Sequence, residues 1–290
     1  MINPINKLIL GTVQFGLNYG INNTTGIPTH EEVFEMLDLA KQEGILTLDT
    51  AEAYGNAQQV IGAYIQQTKK QFRINSKFKL SNKLPLNEQL SNTLNELNLT
   101  GLNTYFFHSY TDFIEQPDCL KYLNTLKEDA KIKSIGLSVY DNTEFLMAIN
   151  CDDIDVIQLP FNCFDNLNQR GELLHKAKAR NKTIQVRSIY LQGLFFKEAE
   201  KLSDQLAPLK KQINALHHIA KDLQMTIDEL ALAYVVLQPS IDEIIIGVEN
   251  KDQLIKNIAL FKKEYTPTLI EEINKINIKE VELLYPKNWT

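Results

Sequence analysis

Cysteine is scarce. The 290 residues hold three, Cys119, Cys151 and Cys163. Their odd number and scattered spacing exclude a disulfide framework or a cysteine-built zinc site, and they read as reduced thiols of a cytoplasmic protein. Basic charge is also in deficit: 30 Lys and Arg face 36 Asp and Glu, a formal net charge of −6. That leaves no electrostatic footprint for nucleic acid or an anionic membrane, and neither is expected as a partner. No apolar run approaches the roughly 18 residues of a membrane helix. The opening stretch MINPINKLILGTV lacks the basic region and long apolar run of a signal peptide. Low-complexity segments, Pro/Gly/Ser linkers and charge blocks are missing too, so one domain over residues 1–290 is the simplest reading. No long apolar helix face suggests a dimer seam, and a monomer is expected.

What the sequence does contain is a repeated alternation. Hydrophobic residues make up 44% of the chain, enough for a sizeable core. Eight short apolar runs recur: KLILGT (7–12), ILTLD (45–49), FRINSK (72–77), TYFFH (104–108), KSIGLS (133–138), DVIQL (155–159), TIQVRS (183–188) and EIIIG (243–247). They are nearly continuous rather than alternating, as suits strands buried on both faces of a parallel sheet. Segments of helical periodicity lie between them, among them 29–44, 86–98, 117–131 and 166–181. The first opens with Thr29 and Glu32 in capping-box spacing and closes at Gly44. Residues 204–224 and 226–238 predict two helices before the last strand, and a further helix is expected from about Pro267 to Glu280, ahead of the tail YPKNWT. Eight strand–helix units in under 300 residues predict an α/β fold of the (β/α)8 TIM-barrel type. A doubly wound open sheet is the weaker alternative, since no Gly-x-Gly-x-x-Gly turn follows the first strand.

The active site of such a barrel lies at the C-terminal ends of its strands. There the second strand ends in Asp49, the third in Lys77 and the fourth in His108, and Tyr54 follows in the loop after Asp49. The sequence thus predicts that Asp, Lys, His and Tyr converge. A free phenol, with a pKa of about 10, is a poor proton donor or acceptor near neutrality. A neighbouring ammonium favours phenolate and is expected to lower that value. A carboxylate beside the lysine keeps it charged, and a histidine can polarise a carbonyl or relay a proton. Such a set suits protonation of an oxygen, as carbonyl reduction requires once a hydride reaches carbon. Alone, Asp49 and Lys77 would read as a structural ion pair; the company of Tyr54 and His108 argues otherwise.

These residues carry a resemblance. The stretch DTAEAYGN, with Lys77 in INSK and His108 in YFFH, resembles the aldo-keto reductase superfamily, and the likeness runs through LGTVQFG, IGLS, QLPFN, QGL and GVENKDQLIKN. It implies Tyr54 as general acid, tuned by Asp49 and Lys77, with His108 orienting the carbonyl. It also implies NADPH or NADH bound extended across the barrel mouth, beginning at Gly11, Thr12 and Asp49. Ser138 and Gln158 would hold the nicotinamide carboxamide, while Ser188, Leu191, Gln192 and Gly193 would meet the pyrophosphate. Gly247, Glu249, Lys251, Gln253 and Asn257 would surround the adenosine end. Glu249 suits a ribose hydroxyl and NADH, Lys251 a 2′-phosphate and NADPH, and the family's habit favours NADPH.

Two positions depart from the family pattern. Val139 stands where Asn is usual, and Arg187 where an aromatic residue stacks on the nicotinamide. A stacked Arg187 would disfavour the cationic oxidised ring and bias the enzyme toward reduction; an outward salt bridge is its other reading. The expected function is NAD(P)H-dependent reduction of a small aldehyde or ketone to an alcohol. The sequence's opening and RSIYLQGL resemble a bacterial branch linked with sugar and surface-polysaccharide metabolism, which suggests a sugar-like carbonyl. A dehydrogenase running in the oxidative direction and a nicotinamide-binding regulatory or sensor subunit are the alternatives. Tyr19, Phe15, Phe161 and Trp289 are candidate walls of a substrate pocket. His30, His175, His217 and His218 have no ligand-like partners in sequence, and no metal is expected.

Overall fold

In the computed structural model, residues 4–80 and 84–289 are described. Eight strands form the inner layer: β1 (Leu8–Gly11), β2 (Thr47–Asp49), β3 (Arg73–Phe78), β4 (Leu102–Phe107), β5 (Ile132–Ser138), β6 (Val156–Pro160), β7 (Thr183–Arg187) and β8 (Glu243–Gly247). Each pairs in parallel with the next, and β8 returns to β1 to close the barrel. The helices α1 (His30–Gln42), α2 (Ala57–Thr68), α3 (Leu86–Leu97), α4 (Tyr110–Glu115), α5 (Cys119–Glu128), α6 (Asn142–Asn150), α7 (Leu167–Ala179), α8 (Lys210–Asp222), α9 (Ile227–Val236), α10 (Lys251–Phe261) and α11 (Thr268–Asn274) surround it. Their apolar faces bury residues such as Met36, Ile61, Leu97, Leu216 and Leu232 against the outer faces of the strands, while the alternate strand positions include buried Thr47, Asp49, Asn75, Lys77, Thr104, Gln158 and Gln185.

All eight predicted strands are present, with small shifts at their ends. β2 begins at Thr47 rather than Ile45, and Leu46 is left exposed. The capping box forms as the spacing predicts: the Glu32 N–H donates to Thr29 Oγ1 and the Thr29 N–H to Glu32 Oε2 at 2.8 Å. Gly44 takes the left-handed conformation after α1. Two helix predictions need correction. The segment from Asp204 opens as a 3-10 turn, and α8 starts only at Lys210, because Pro208 has no N–H to carry an α-helix through. The helix expected over 267–280 ends at Asn274. Beyond it, Ile276 and Ile278 are buried at a spacing of two, and their carbonyls accept the side-chain amides of Asn166 and Gln169. That extended path satisfies the backbone without helical bonds. Thr290 of the tail lies outside the described residues.

The cysteines are free, and among the described residues no helix is long and apolar enough to cross a membrane. Among them, too, no cluster of His, Cys, Asp and Glu could hold a metal ion.

The packing of α2 on α3 depends on Gly62, where a Cβ would fall 1.9 Å from the Glu96 carbonyl oxygen. Helix propensity alone would make Gly62→Ala stabilising by up to about 1 kcal/mol. Here the obstacle is backbone, so we expect the substitution to destabilise the fold by about 1–3 kcal/mol. Urea unfolding of the two proteins checks this, and a raised midpoint for the variant would refute it.

Candidate active site

The C-terminal rim of the barrel opens into a cavity of about 630 Å³, within the usual range for a small-molecule site. Register determines what reaches it. Gly11 pairs with both Asp49 and Gly247, Ser138 with Gln158, and Pro160 with Arg187. Asp49, Tyr54, Lys77 and His108 all line the cavity, so the predicted convergence of four side chains from β2, its following loop, β3 and β4 is realised.

Asp49 and Lys77 are in contact, both almost wholly buried. Lys77 Nζ also donates to the Thr50 carbonyl at 3.2 Å, and Gln158 Nε2 donates to the other Asp49 oxygen at 2.9 Å. Burial draws the Lys77 ammonium below its ordinary pKa, while the Asp49 carboxylate opposes that shift.

Tyr54 is partly exposed, toward the cavity. Lys77 Nζ lies 5.3 Å from the centre of its ring, and the His108 ring stands edge-on to it at 6.0 Å. The Tyr54 turn abuts the loop after β1 so closely that a Cβ on Gly16 would sit 2.0 Å from the Tyr54 carbonyl oxygen. The expected lowering of its pKa does not occur. The enclosed position raises it first and the Asp49 carboxylate second; Arg187 is the cation that lowers it. The phenol therefore holds its proton. Pairwise reasoning misses this because the charge of Lys77 is already compensated by Asp49.

His108 is pushed down to about 3, first by burial and then by Lys77, Lys79 and Arg187. It is a neutral imidazole at any ordinary pH, and its Nδ1 is buried without a partner.

Most of the other predicted positions border the same cavity. Gly11, Thr12, Ser138, Gln158, Arg187, Ser188, Gln192, Gly193, Gly247, Glu249, Gln253 and Asn257 all do so. Leu191 does not: its side chain is fully buried in the core. Lys251 does not either; it pairs with Glu35 on the outside at 3.1 Å. The cation on that side of the cavity is Lys256, held by Asp228 at 2.7 Å. Helix phase carries this signal: Gln253, Lys256 and Asn257 are three and four apart on α10, whereas Lys251 is two from Gln253 and turned away.

Sequence reading also missed Tyr140 and Gln14. The Arg187 guanidinium stacks on Tyr140 at 4.3 Å and donates to the Val139 carbonyl at 3.3 Å, so it is not in an outward salt bridge. One of its faces is thereby covered. Val139 itself is buried. Gln14 Oε1 is buried at the β1–β8 end with no partner, and a Cβ on Gly247 would meet it at 2.4 Å. Of the candidate pocket walls only Tyr19 lines the cavity; Phe15 and Phe161 are core, and the Trp289 indole N–H donates to the Leu283 carbonyl. His217 is tied to the Phe195 carbonyl at 2.8 Å.

The cavity thus runs from the Tyr54 quartet, past Ser138 and Gln158, to Glu249 and Asn257 at the far end. An extended row of hydrogen-bonding groups, with an orphaned amide oxygen at Gln14, fits an elongated polar cofactor.

Comparison with known proteins bears on the family and the fold. The model of the Aldo/keto reductase family matches residues 7–278. An NADH-specific methylglyoxal reductase of Escherichia coli is 24% identical over 256 residues, covering 74% of this chain and 78% of its own. An uncharacterized oxidoreductase of Bacillus subtilis is 24% identical over 255 residues, covering 78% and 81%. Among solved structures, an aldo-keto reductase from Bacillus halodurans in holo form superposes with a TM-score of 0.76 at 16% identity, covering 95% of this chain and 94% of its own.

The depressed value at His108 has a stability consequence. The unfolded chain takes up a proton near pH 6.5 that the folded chain refuses until about 3. Folding stability from this group is present above pH 6.5 and falls progressively as the pH drops toward 3. We expect His108→Asn to shrink the difference in unfolding midpoint between pH 7 and pH 5. An unchanged difference would show His108 to be freely protonated in the folded state.

Proposed function

The chain belongs to the aldo/keto reductase family, and we propose that, as an NAD(P)H-dependent enzyme of that family, it reduces a small aldehyde or ketone with Tyr54 as the acid. One observation carries the reading: a protonated tyrosine partly open to the cavity, beside a neutral histidine and a compensated lysine–aspartate pair.

When bound, the reduced cofactor would supply the hydride that the carbonyl carbon receives. Everything else falls to the chain's own residues. His108, neutral, can offer one N–H to the carbonyl oxygen and polarise it without carrying charge. The Tyr54 hydroxyl gives its proton to that oxygen as negative charge develops there. The Asp49–Lys77 pair keeps the neighbourhood near neutral, so the phenol holds its proton until the alkoxide forms. Solvent then restores it. Overall, a carbonyl compound, the reduced cofactor and a proton become an alcohol and the oxidised cofactor. A phenol that keeps its proton near neutrality is present in the form that carbonyl reduction draws on. Ser138 and Gln158 are suited to the nicotinamide carboxamide, and Ser188, Gln192 and Gly193 to the pyrophosphate. The open face of Arg187 remains available to the nicotinamide ring.

We infer NADH rather than NADPH. The expectation of a 2′-phosphate clamp needs a free cation at the adenosine end, but Lys251 is engaged outside the cavity and Lys256 is compensated by Asp228. Glu249 faces the cavity with Gln253 beside it, its N–H donating to Gln253 Oε1 at 2.9 Å. A carboxylate there accepts from a ribose hydroxyl and repels a phosphate.

Replacing Tyr54 by Phe should lower kcat for any accepted aldehyde by at least about a hundredfold while cofactor binding persists. Retained turnover would remove Tyr54 from the reaction. Fluorescence titration should find NADH bound more tightly than NADPH, with Glu249→Gln narrowing the gap several-fold. Tighter NADPH binding by the unaltered protein would overturn the cofactor assignment.

A further inference from the structure

We propose that Arg187 is an anion receptor beside the catalytic quartet, and that the preferred carbonyl substrates carry a carboxylate. The inference rests on the reductase reading and adds the chemical class of its substrate.

Among the described residues, Arg187 has no carboxylate in salt-bridge contact. Asp165, on which Arg187 acts electrostatically, is already held by Arg170, and Asp49 by Lys77; Asp228, toward the adenosine end, is held by Lys256. Glu249 lies at the far end with Gln253. The protein contacts of the Arg187 guanidinium are the Tyr140 ring, against one face, and one long bond to the Val139 carbonyl. Its remaining N–H edge has no carboxylate partner among the described residues. A guanidinium presents paired donors matched to a carboxylate, so this open edge is a ready receptor.

The cation is also held in place. Tyr140, its stacking platform, meets Tyr285 edge-to-face at 5.8 Å, and its N–H donates to Glu144 Oε2 at 2.6 Å. Its carbonyl accepts from Arg170, whose own charge is taken up by buried Asp165. Little ordering remains to be done when an anion arrives.

The surroundings form a recess of about 260 Å³, lined by Tyr19, Tyr140, Arg187, Ser188, Gln192 and Pro286. The first five of these also border the catalytic cavity, so the two spaces are continuous. Electrostatic reach is short as well: Arg187 acts on Tyr54, Lys77 and His108 alike.

The test compares matched substrates. 5-Oxopentanoate and 4-formylbenzoate are each assayed beside their methyl esters, at saturating reduced cofactor. We expect kcat/KM for the acids to exceed that for the esters by about tenfold or more, as a charge-assisted pair gives. Arg187→Gln should bring the ratio near one, and Arg187→Lys should keep part of it. Any loss of cofactor stacking lowers acid and ester together and leaves the ratio unmoved. Calorimetric titration of the protein–cofactor complex with glutarate, which cannot be reduced, should give binding that Arg187→Gln abolishes; thermal midpoints establish that each variant is folded. Equal rates for acid and ester in the unaltered enzyme, or a ratio that survives Arg187→Gln, overturn the inference and leave the reductase reading standing. If neither acid nor ester is reduced, the reductase reading fails, and glutarate binding alone decides whether Arg187 receives an anion.

Discussion

The buried contact between Asp49 and Lys77 is the constraint around which the catalytic end of the barrel is arranged. Two charges taken out of water cost several kcal/mol each unless geometry and further hydrogen bonds compensate them. Here the compensation crosses the barrel. Lys77 on β3 holds Asp49 on β2, and Gln158 on β6 donates to Asp49 and to Gln185 Oε1 on β7. Gln185 then donates to Glu243 on β8 at 2.7 Å. A line of polar side chains from five strands thus crosses the barrel interior, which also holds buried Thr47, Asn75, Thr104 and Phe106. Losing one member strands the others, so the pair fixes more than its own two positions.

That arrangement decides how the remaining groups behave. Lys77 spends its charge on Asp49, and little of it reaches Tyr54. Burial then governs the phenol and the imidazole, keeping the one protonated and the other neutral. A proton donor and an uncharged hydrogen-bond donor lie side by side over a wide pH range, without either depending on a titration near neutrality. Arg187 is the charge this internal accounting leaves over.

The fold was legible in the sequence because strands covered by helices are largely apolar, and eight such runs stand out against amphipathic helices; polar residues within them, such as Asn75, Gln158 and Gln185, lie buried in the barrel. Asp49, Lys77 and His108 were legible for a related reason: an ionisable residue ending an apolar run has nowhere to go but the rim. Errors arose where backbone chemistry overrode pattern. Pro208 delays α8, and side-chain amides from α7 capture carbonyls that a longer α11 would have used. The sign of the Tyr54 shift was not legible, since it depends on which neighbour already holds the lysine. Lys256 in place of Lys251 is a matter of helix phase, readable once α10 is known to start at residue 251.

The loop after β7 shows how such a site is held open. Ser188, Leu191 and Gln192 all take positive φ without being glycine, at a conformational cost of order 1–3 kcal/mol each. Such strain persists only where surrounding contacts over-determine it, and Leu191 is the clearest of them. Its side chain, buried with Leu194 and Phe195, anchors the loop from below. Its neighbours are thereby turned upward: Gln192 Nε2 donates to the Tyr19 hydroxyl at 2.7 Å, and the Gly193 carbonyl accepts from Asn22 at 2.8 Å. The loop after β1 is joined to the loop after β7 at the cavity wall by these two bonds. Leu191 thus serves the cavity from within the core, without touching it. Ser188 and Gln192 face the cavity on either side of that buried leucine.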